Sequence, residues 1–175
     1  MKVLVVGAHP DDEILGVGGT ICKHIDNGDN VYVCIVTSSW EPKWSEDYYK
    51  LKKRQQQEID EFLGIKKRYN LNLPTIKLNL ISHGELNEKI NNVIKKVNPN
   101  IIYTHFKNDM NYDHNLIFNA CMVSTRPFIK CKLVCYETLS ETEWNNQPFV
   151  PNYWINIEKF LEKKIEAFKI YSTDR

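Results

Sequence analysis

The fold is decided by the first 24 residues, MKVLVVGAHPDDEILGVGGTICKH, which run from Met1 to His24. The apolar, β-branched run from Val3 to Val6 favours a buried strand. A short polar turn follows it, and from Glu13 to Asn27 the apolar residues recur at helical spacing. A strand that leads directly into a helix is the repeating unit of a parallel sheet.

The same alternation of strand and helix continues along the chain. Further strands are predicted at Val31 to Thr37, Thr75 to Leu78, Ile101 to Thr104 and Lys132 to Glu137, and further helices at Asp47 to Leu63, Glu85 to Val97, Leu116 to Thr125 and Glu158 to Tyr171. Alternating elements form α/β folds, in which helices cover both faces of a mostly parallel sheet. The predicted fold class is therefore α/β, with a mostly parallel β-sheet and helices on both faces.

Length and composition indicate one domain. The 175 residues, 42% of them hydrophobic, can bury one core, so we expect a single domain over residues 1–175. A formal net charge of +1 provides no field that would attract nucleic acid, and no nucleic-acid partner is expected. The sequence has neither a stretch of about 20 apolar residues nor a signal-peptide h-region. Together with five cysteines, most of them among apolar neighbours, this predicts a cytoplasmic protein without a transmembrane segment.

Two polar strings directly follow predicted strands. His9-Pro10-Asp11-Asp12-Glu13 comes after the first strand, and the string from His105 to His114 comes after Ile101 to Thr104. In an open parallel sheet, ligands bind outside the carboxyl ends of the strands. Both strings therefore belong to the edge of the sheet where a site is expected.

These strings contain the donor atoms of a metal site. His9 and Asp12, three residues apart on a tight turn, can direct an imidazole nitrogen and a carboxylate oxygen to one point, and His114 can supply a third ligand. Two histidines and one carboxylate with an open position form a catalytic metal shell, most often for zinc, although another divalent cation is compatible with it. Asp11, the neighbour of Asp12, can accept a proton from an attacking water.

Each string also has a structural interpretation when it is taken singly. Asp12 or Glu13 can stabilise the first turn of the following helix. The pair Asp113-His114 can be a solvated surface dipeptide. The occurrence of both strings at one edge of the predicted sheet favours the metal site over these alternatives.

Beyond these residues, the sequence resembles the PIG-L/LmbE family of zinc-dependent deacetylases. The resemblance rests on AHPDDE at residues 8–13 with Gly18-Gly19 behind it, Val36-Thr37-Ser38-Ser39, the helix element Arg54 to Glu58 followed by Leu63-Gly64, PNIIYTH at residues 99–105 and Asp113-His114. It implies a Rossmann-like fold and hydrolysis of the acetamide of an N-acetylamino sugar of the N-acetylglucosamine type. It also implies that His9, Asp12 and His114 bind zinc and that Asp11 is the general base.

One position departs from the family pattern. Many members have His-Pro-Asp-His in the second motif, where this chain has Asn111-Tyr112-Asp113-His114. Asn111 can donate a hydrogen bond to an oxyanion but cannot deliver a proton. His105 is the available proton donor on the same loop, although it can equally fix the strand end by bonding a backbone group.

Two further residues are candidates for roles at this site. The resemblance suggests that Asp113 orients a histidine as a neighbouring carboxylate. Arg54 can bind a hydroxyl or phosphate group of the substrate, although an arginine in a lysine-rich helix is more often a solvated charge.

Asn111 and the length of the chain leave a second function open. Members of the family commonly continue further at the C-terminus, where a segment can help to shape the substrate pocket. A non-catalytic zinc- or sugar-binding domain of the same fold is therefore the alternative. A nucleotide-binding domain is disfavoured because the first turn reads GAHPDDE rather than G-x-G-x-x-G. The expected partner is a small amino-sugar substrate, and a homo-oligomer is compatible with the sequence.

Overall fold

A computed structural model of the protein describes residues 1–126, 130–139, 141–144 and 147–172. Within these residues, the centre of the fold is a five-stranded parallel sheet made of β1 (Lys2–Gly7), β2 (Asn30–Ser38), β3 (Lys67–Pro74), β4 (Ile101–His105) and β5 (Lys132–Tyr136). The strand order is β3-β2-β1-β4-β5, so the direction of winding reverses between β1 and β4. This arrangement confirms the predicted α/β, Rossmann-like fold.

Helices cover both faces of the sheet. In the described part of the chain they are α1 (Asp12–Asp26), α2 (Glu46–Leu63), α3 (His83–Val97), α4 (Tyr112–Ser124) and α5 (Leu161–Ser172). Side chains of α1, α2 and α5 share one hydrophobic cluster with the sheet, and those of α3 and α4 share the other. Because successive residues of a strand point to opposite faces, Val3 and Val5 belong to the first cluster and Leu4 and Val6 to the second.

Local signals in the sequence determine where two of the helices begin and end. The hydroxyl of Ser45 accepts the Tyr48 N–H at 3.2 Å and caps α2, and Ser82 caps α3 in the same way. Gly64 ends α2 with a φ of 86°, a left-handed conformation that glycine adopts without a Cβ clash. The start of α2 is therefore fixed directly after the loop that follows β2.

The predicted strand from Thr75 to Leu78 is wrong. The structure instead has β3 at Lys67–Pro74, and Leu78–Leu80 forms a short 3-10 helix. Since β3 lies at the edge of the sheet and is mostly half-buried or exposed, its sequence KRYNLNLP is too polar to indicate a core strand.

The helix predicted from Leu116 begins four residues earlier, at Tyr112. Asn111 caps it, because its side-chain oxygen accepts the Asp113 N–H at 3.0 Å. As a consequence, Asp113 and His114 lie in the first turn of α4 and not in the preceding loop.

Three expectations concern the chain as a whole. The described part of the chain contains no helix that is both long and apolar enough to cross a membrane. The five cysteines are free thiols. Residues 127–129, 140, 145–146 and 173–175 of the predicted single domain lie outside the described residues. The single domain and the cytoplasmic location stay predictions.

Candidate metal centre

The two polar strings meet at the carboxyl ends of β1 and β4. These strands are parallel neighbours, and the strand order reverses between them. The chain leaves β1 through the turn that starts α1, and it leaves β4 through residues 106–111, which lead into α4. A reversal point of this kind opens a crevice, and ligands of α/β sheets bind there.

Three side chains each place one potential ligand atom around a common point. The Nδ1 atom of His9 and the Nε2 atom of His114 are 3.2 Å apart. The Oδ2 atom of Asp12 lies 3.5 Å from the first of these nitrogens and 3.4 Å from the second. Ligands about 2.0–2.2 Å from a tetrahedral zinc ion lie about 3.3–3.6 Å from one another. The three atoms therefore fit one face of a tetrahedral coordination shell.

A carboxylate holds the other ring nitrogen of each histidine. The Nδ1–H of His114 donates to Oδ2 of Asp109 at 2.8 Å, and the Nε2–H of His9 donates to Oδ2 of Asp113 at 3.2 Å. In the neutral form of each ring these bonds leave the other nitrogen unprotonated, and both of these nitrogens face Asp12. Carboxylate–histidine pairs of this kind orient the ligands of metal sites.

Asp113 is itself fixed by the segment that follows β3. Its Oδ2 atom accepts the Ile76 N–H at 2.8 Å and the Thr75 hydroxyl at 3.3 Å. Asp113 therefore bonds the distant His9 and not its sequence neighbour His114. The partner of His114 is Asp109, to which the sequence reasoning assigned no role. The signal for it in the sequence is Asn108-Asp109, which is part of the resemblance to the PIG-L/LmbE family and precedes the helix that carries His114.

The carboxylates around the two histidines raise their affinity for protons. Burial lowers the pKa of His9, but hydrogen bonds with Asp113 and Asp12 outweigh it and raise the pKa from 6.5 to about 10. Burial is likewise outweighed at His114, where Asp12 and Asp109 raise the pKa to about 9. Carboxylates that stabilise positive charge on these rings also stabilise a cation between them.

Among the described residues, a second group with converging donor atoms consists of His105, Asp109 and His114. Two of its atoms are already bonded to each other, since His114 Nδ1–H donates to Asp109. The Nε2 atom of His105 accepts the Ala8 N–H at 2.9 Å. The Nδ1 atom of His114 therefore carries a proton and the lone pair of His105 Nε2 is already engaged, so the first group is the candidate metal centre.

His105 lies beneath that centre. It is fully buried, its ring stacks on that of His114 with centroids 3.7 Å apart, and its Nδ1–H donates to the Thr138 hydroxyl at 3.3 Å. Burial lowers the pKa of His105 from 6.5 to about 4. A buried, neutral imidazole with both nitrogens bonded fixes the end of β4, so the geometry favours this interpretation over the proton donor expected from the sequence.

Asn111 stabilises the loop and helix start next to the candidate metal centre. Its side-chain oxygen caps α4, and its own N–H donates to Oδ1 of Asp109 at 2.8 Å. These bonds hold the loop that positions Asp109 and His114. The Nδ2 group is the part of this side chain that can donate a hydrogen bond to an oxyanion.

A cavity of about 210 Å³ opens beside the candidate metal centre. Its wall includes His9, Asp11, Ser38, Trp44, Tyr48, Lys52, Gln56 and Asn70. Burial and the neighbouring carboxylates of Asp12 and Glu13 raise the pKa of Asp11 from 3.8 to about 7. A carboxylate with this pKa can both accept and release a proton near neutral pH.

Arg54 is exposed and is not among the described residues that line this cavity. Lys52 and Gln56, four residues apart on α2, both line it. Position 54 lies on a different side of the helix, because residues two apart do not share a helical face. The geometry therefore moves the candidate substrate contact from Arg54 to Lys52.

Fold and site together define an α/β protein with a candidate metal centre at the reversal point of a parallel sheet. The model of the PIG-L family, described as GlcNAc-PI de-N-acetylase, matches residues 4–124. The chain belongs to this family, which confirms the resemblance seen in the sequence. The matched range contains every candidate ligand and both aspartates that orient the histidines.

Relatives share the family and solved structures share the fold. A Bacillus anthracis protein named as a probable N-acetyl-alpha-D-glucosaminyl L-malate deacetylase is 22% identical over 98% of this chain and 80% of its own length. The N,N'-diacetylchitobiose deacetylase of Pyrococcus horikoshii superposes with a TM-score of 0.79 at 22% identity, covering 99% of this chain and 70% of that one.

The fold also occurs with a different chemistry. The 4-carboxy-2-hydroxymuconate hydratase GalB of Pseudomonas putida has a TM-score of 0.78 at 18% identity, covering 99% of this chain and 79% of that one. The structural similarities therefore establish the architecture, and the activity has to be argued from the site.

Proposed function

We propose that this protein is a zinc-dependent N-deacetylase that hydrolyses the acetamide of an N-acetylamino-sugar conjugate. The observation that carries the proposal is the tetrahedral spacing of 3.2–3.5 Å among the ligand atoms of His9, Asp12 and His114. A separate carboxylate, Asp11, lines the cavity beside them. Membership of the PIG-L family and the names of the deacetylase relatives support the proposal.

Residues of the chain would bind the ion and transfer the proton in the proposed reaction. A zinc ion held by His9, Asp12 and His114 would supply Lewis acidity, which polarises a carbonyl and acidifies water. Asp11 takes a proton from the attacking water as the new C–O bond forms. It then delivers that proton to the nitrogen as the C–N bond breaks, so that acetate and an amine leave. Burial and the charges of Asp12 and Glu13 raise the pKa of Asp11, which favours its acceptance of the proton.

The cavity fits one sugar unit better than a large ligand. Its volume of about 210 Å³ lies below the range of about 300–1,000 Å³ that is typical for drug-sized ligands. Trp44 and Tyr48 provide aromatic surface on which the apolar face of a sugar ring can stack. Lys52, on the same wall, can donate hydrogen bonds to sugar hydroxyls.

The test is release of free amine from N-acetylglucosamine conjugates by the zinc-loaded protein, with and without a chelator. We expect chelation to abolish turnover and added zinc to restore it. The variant Asp11→Asn should bind zinc like the wild type while kcat falls by about 10²–10⁴-fold, since its amide cannot accept the proton. Failure of the zinc-loaded protein to release amine from any conjugate in the panel would contradict the proposal.

A non-catalytic binding domain is the second candidate, and Asn111 is the observation that favours it. At the position where many members have a histidine, this side chain caps a helix and cannot transfer a proton. In that case the same assay shows no turnover, while calorimetry detects saturable binding of zinc and of an amino sugar.

A further inference from the structure

A cluster of four side chains, three of them buried and Asp60 partly exposed, lies behind the turn that carries Asp11. Glu13 is fully buried. Its Oε1 atom accepts the Nη1–H of Arg68 at 2.9 Å and the hydroxyl of Tyr171 at 2.8 Å. Arg68 also donates to Asp60, with Nη2 2.7 Å from Oδ1. The cluster joins α1, α2, β3 and α5.

The second carboxylate oxygen of Glu13 bonds the backbone of the turn that carries Asp11. Its Oε2 atom accepts the backbone N–H of Asp11 at 3.2 Å. Asp11 has a φ of 131° and a ψ of −27°, a conformation that a residue with a Cβ rarely adopts. Such a conformation costs about 1–3 kcal/mol and persists only when the surroundings fix it. The bond from Glu13 is one of the contacts that fix it.

Asp11 and Asp12 must point in different directions although they are adjacent. Asp12 turns into the candidate metal centre, where it is 3% exposed, whereas Asp11 lines the cavity. The unusual backbone of Asp11 produces this divergence at the start of α1. A change in the Asp11 backbone would therefore move its carboxylate relative to the substrate.

We propose that Glu13 is a positioning residue for Asp11, and that Arg68 and Tyr171 hold Glu13 in place for this task. Glu13 bonds the backbone of Asp11 and touches neither the cavity nor the candidate ligand atoms in the contacts described above. It thus acts on the reaction through the placement of the Asp11 carboxylate. This inference rests on the proposed function, in which Asp11 transfers the proton.

The most selective test is Tyr171→Phe, which removes one hydroxyl and keeps the ring. We expect kcat to fall about tenfold, with KM and zinc affinity unchanged. The matched control is Tyr103→Phe, whose hydroxyl bonds His24 and is part of no contact with Asp11. It should leave kcat unchanged. Glu13→Ala is less informative, because it deprives the buried Arg68 of a charge partner.

A double-mutant cycle separates positioning from general stability. If Tyr171 acts through Asp11, Tyr171→Phe should cause no further loss of kcat in the Asp11→Asn background. Equal losses in the wild-type and Asp11→Asn backgrounds would overturn the proposal. So would a wild-type kcat in Tyr171→Phe.

Hydrogen exchange tests the inference without turnover. In the metal-free protein, the amide of Asp11 should exchange several-fold faster in Tyr171→Phe than in the wild type, and at the wild-type rate in Tyr103→Phe. Unchanged protection in Tyr171→Phe would show that the cluster does not hold the Asp11 backbone. This result stands even if the wild type hydrolyses no acetamide, so failure of the inference can be told apart from failure of the proposed function.

Discussion

Two aspartates near His114 serve two different histidines. Asp113, its sequence neighbour, bonds His9 from the other half of the sheet, whereas Asp109 bonds His114 itself. Adjacent residues of a helix point about 100° apart, so Asp113 and His114 cannot turn their side chains toward each other. The loop before α4 therefore has to supply the partner of His114.

Asp109→Asn should weaken zinc binding by about 10–100-fold, because the amide loses the charge that makes His114 a better ligand and has one acceptor oxygen for the two N–H groups that Asp109 binds. Competition with a chromophoric chelator measures the affinity. Asp47→Asn, at an exposed position in the first turn of α2, is the matched control and should bind zinc like the wild type. Wild-type affinity in Asp109→Asn would refute the role of Asp109.

The role of a single residue can be predicted from the sequence when its contacts are local, and not when they join distant parts of the chain. His9 and Asp12 lie on one short turn, so their convergence follows from spacing alone. Asp109 and Arg68 were not predicted, because their partners are set by the path of a loop and by the packing of β3 against α1. The sequence offers Arg54 as a candidate substrate contact, because composition does not show which face of α2 borders the cavity.

The helix α2 forms one wall of the cavity, and its end depends on Gly64. A Cβ at this position would meet only Ile25, at an ordinary distance of 3.6 Å, so the cost of Gly64→Ala comes from the left-handed backbone. We expect the free energy of unfolding to fall by about 1–2 kcal/mol in urea titrations.

The control for this substitution is Gly84→Ala. Gly84 lies inside α3, and a Cβ there would meet nothing within 4 Å. Alanine should raise the free energy of unfolding by up to about 1 kcal/mol, since it favours the helix. An unchanged or raised free energy of unfolding in Gly64→Ala would contradict the role assigned to the Gly64 backbone.

Among the elements, the strands with apolar runs, including the edge strand β5, were predicted, and the polar edge strand β3 was not. The runs of β1, β2 and β4 are apolar because both faces of each strand are covered. β3 pairs with a strand on one side only and is partly buried, so its sequence is polar and does not indicate a strand. The strand was therefore predicted at the next apolar residues, Thr75 to Leu78.

Across the whole molecule, Arg68 joins β3 to α1 and α2 through Glu13 and Asp60, and Glu13 in turn accepts the hydroxyl of Tyr171 on α5. Arg68→Ala would leave the carboxylates of Glu13 and Asp60 without their cation and should cost about 3–5 kcal/mol of unfolding free energy. Arg54→Ala, an exposed control, should change it by less than about 0.5 kcal/mol and leave kcat/KM unaltered. A loss of kcat/KM in Arg54→Ala would restore the substrate contact predicted from the sequence.

The proposed ion would join parts of the chain that are far apart, because His9 and His114 are separated by 105 positions. A ligand that binds only the folded state at 100 times its Kd adds about 2.7 kcal/mol of stability. Thermal unfolding should therefore shift upward with zinc and downward with EDTA, and His114→Ala should show no such shift. Equal Tm values with zinc and with EDTA in the wild type would speak against the ion.

The coupling between ion binding and folding would also affect how much of the protein a cell contains. Unfolded chains are degraded in cells, so a protein whose folded state is stabilised by an ion is present in amounts that follow the supply of that ion. With zinc as the proposed ion, a cell starved of zinc would lose this protein to proteolysis as well as losing the proposed activity, and refeeding would require new synthesis before function returned.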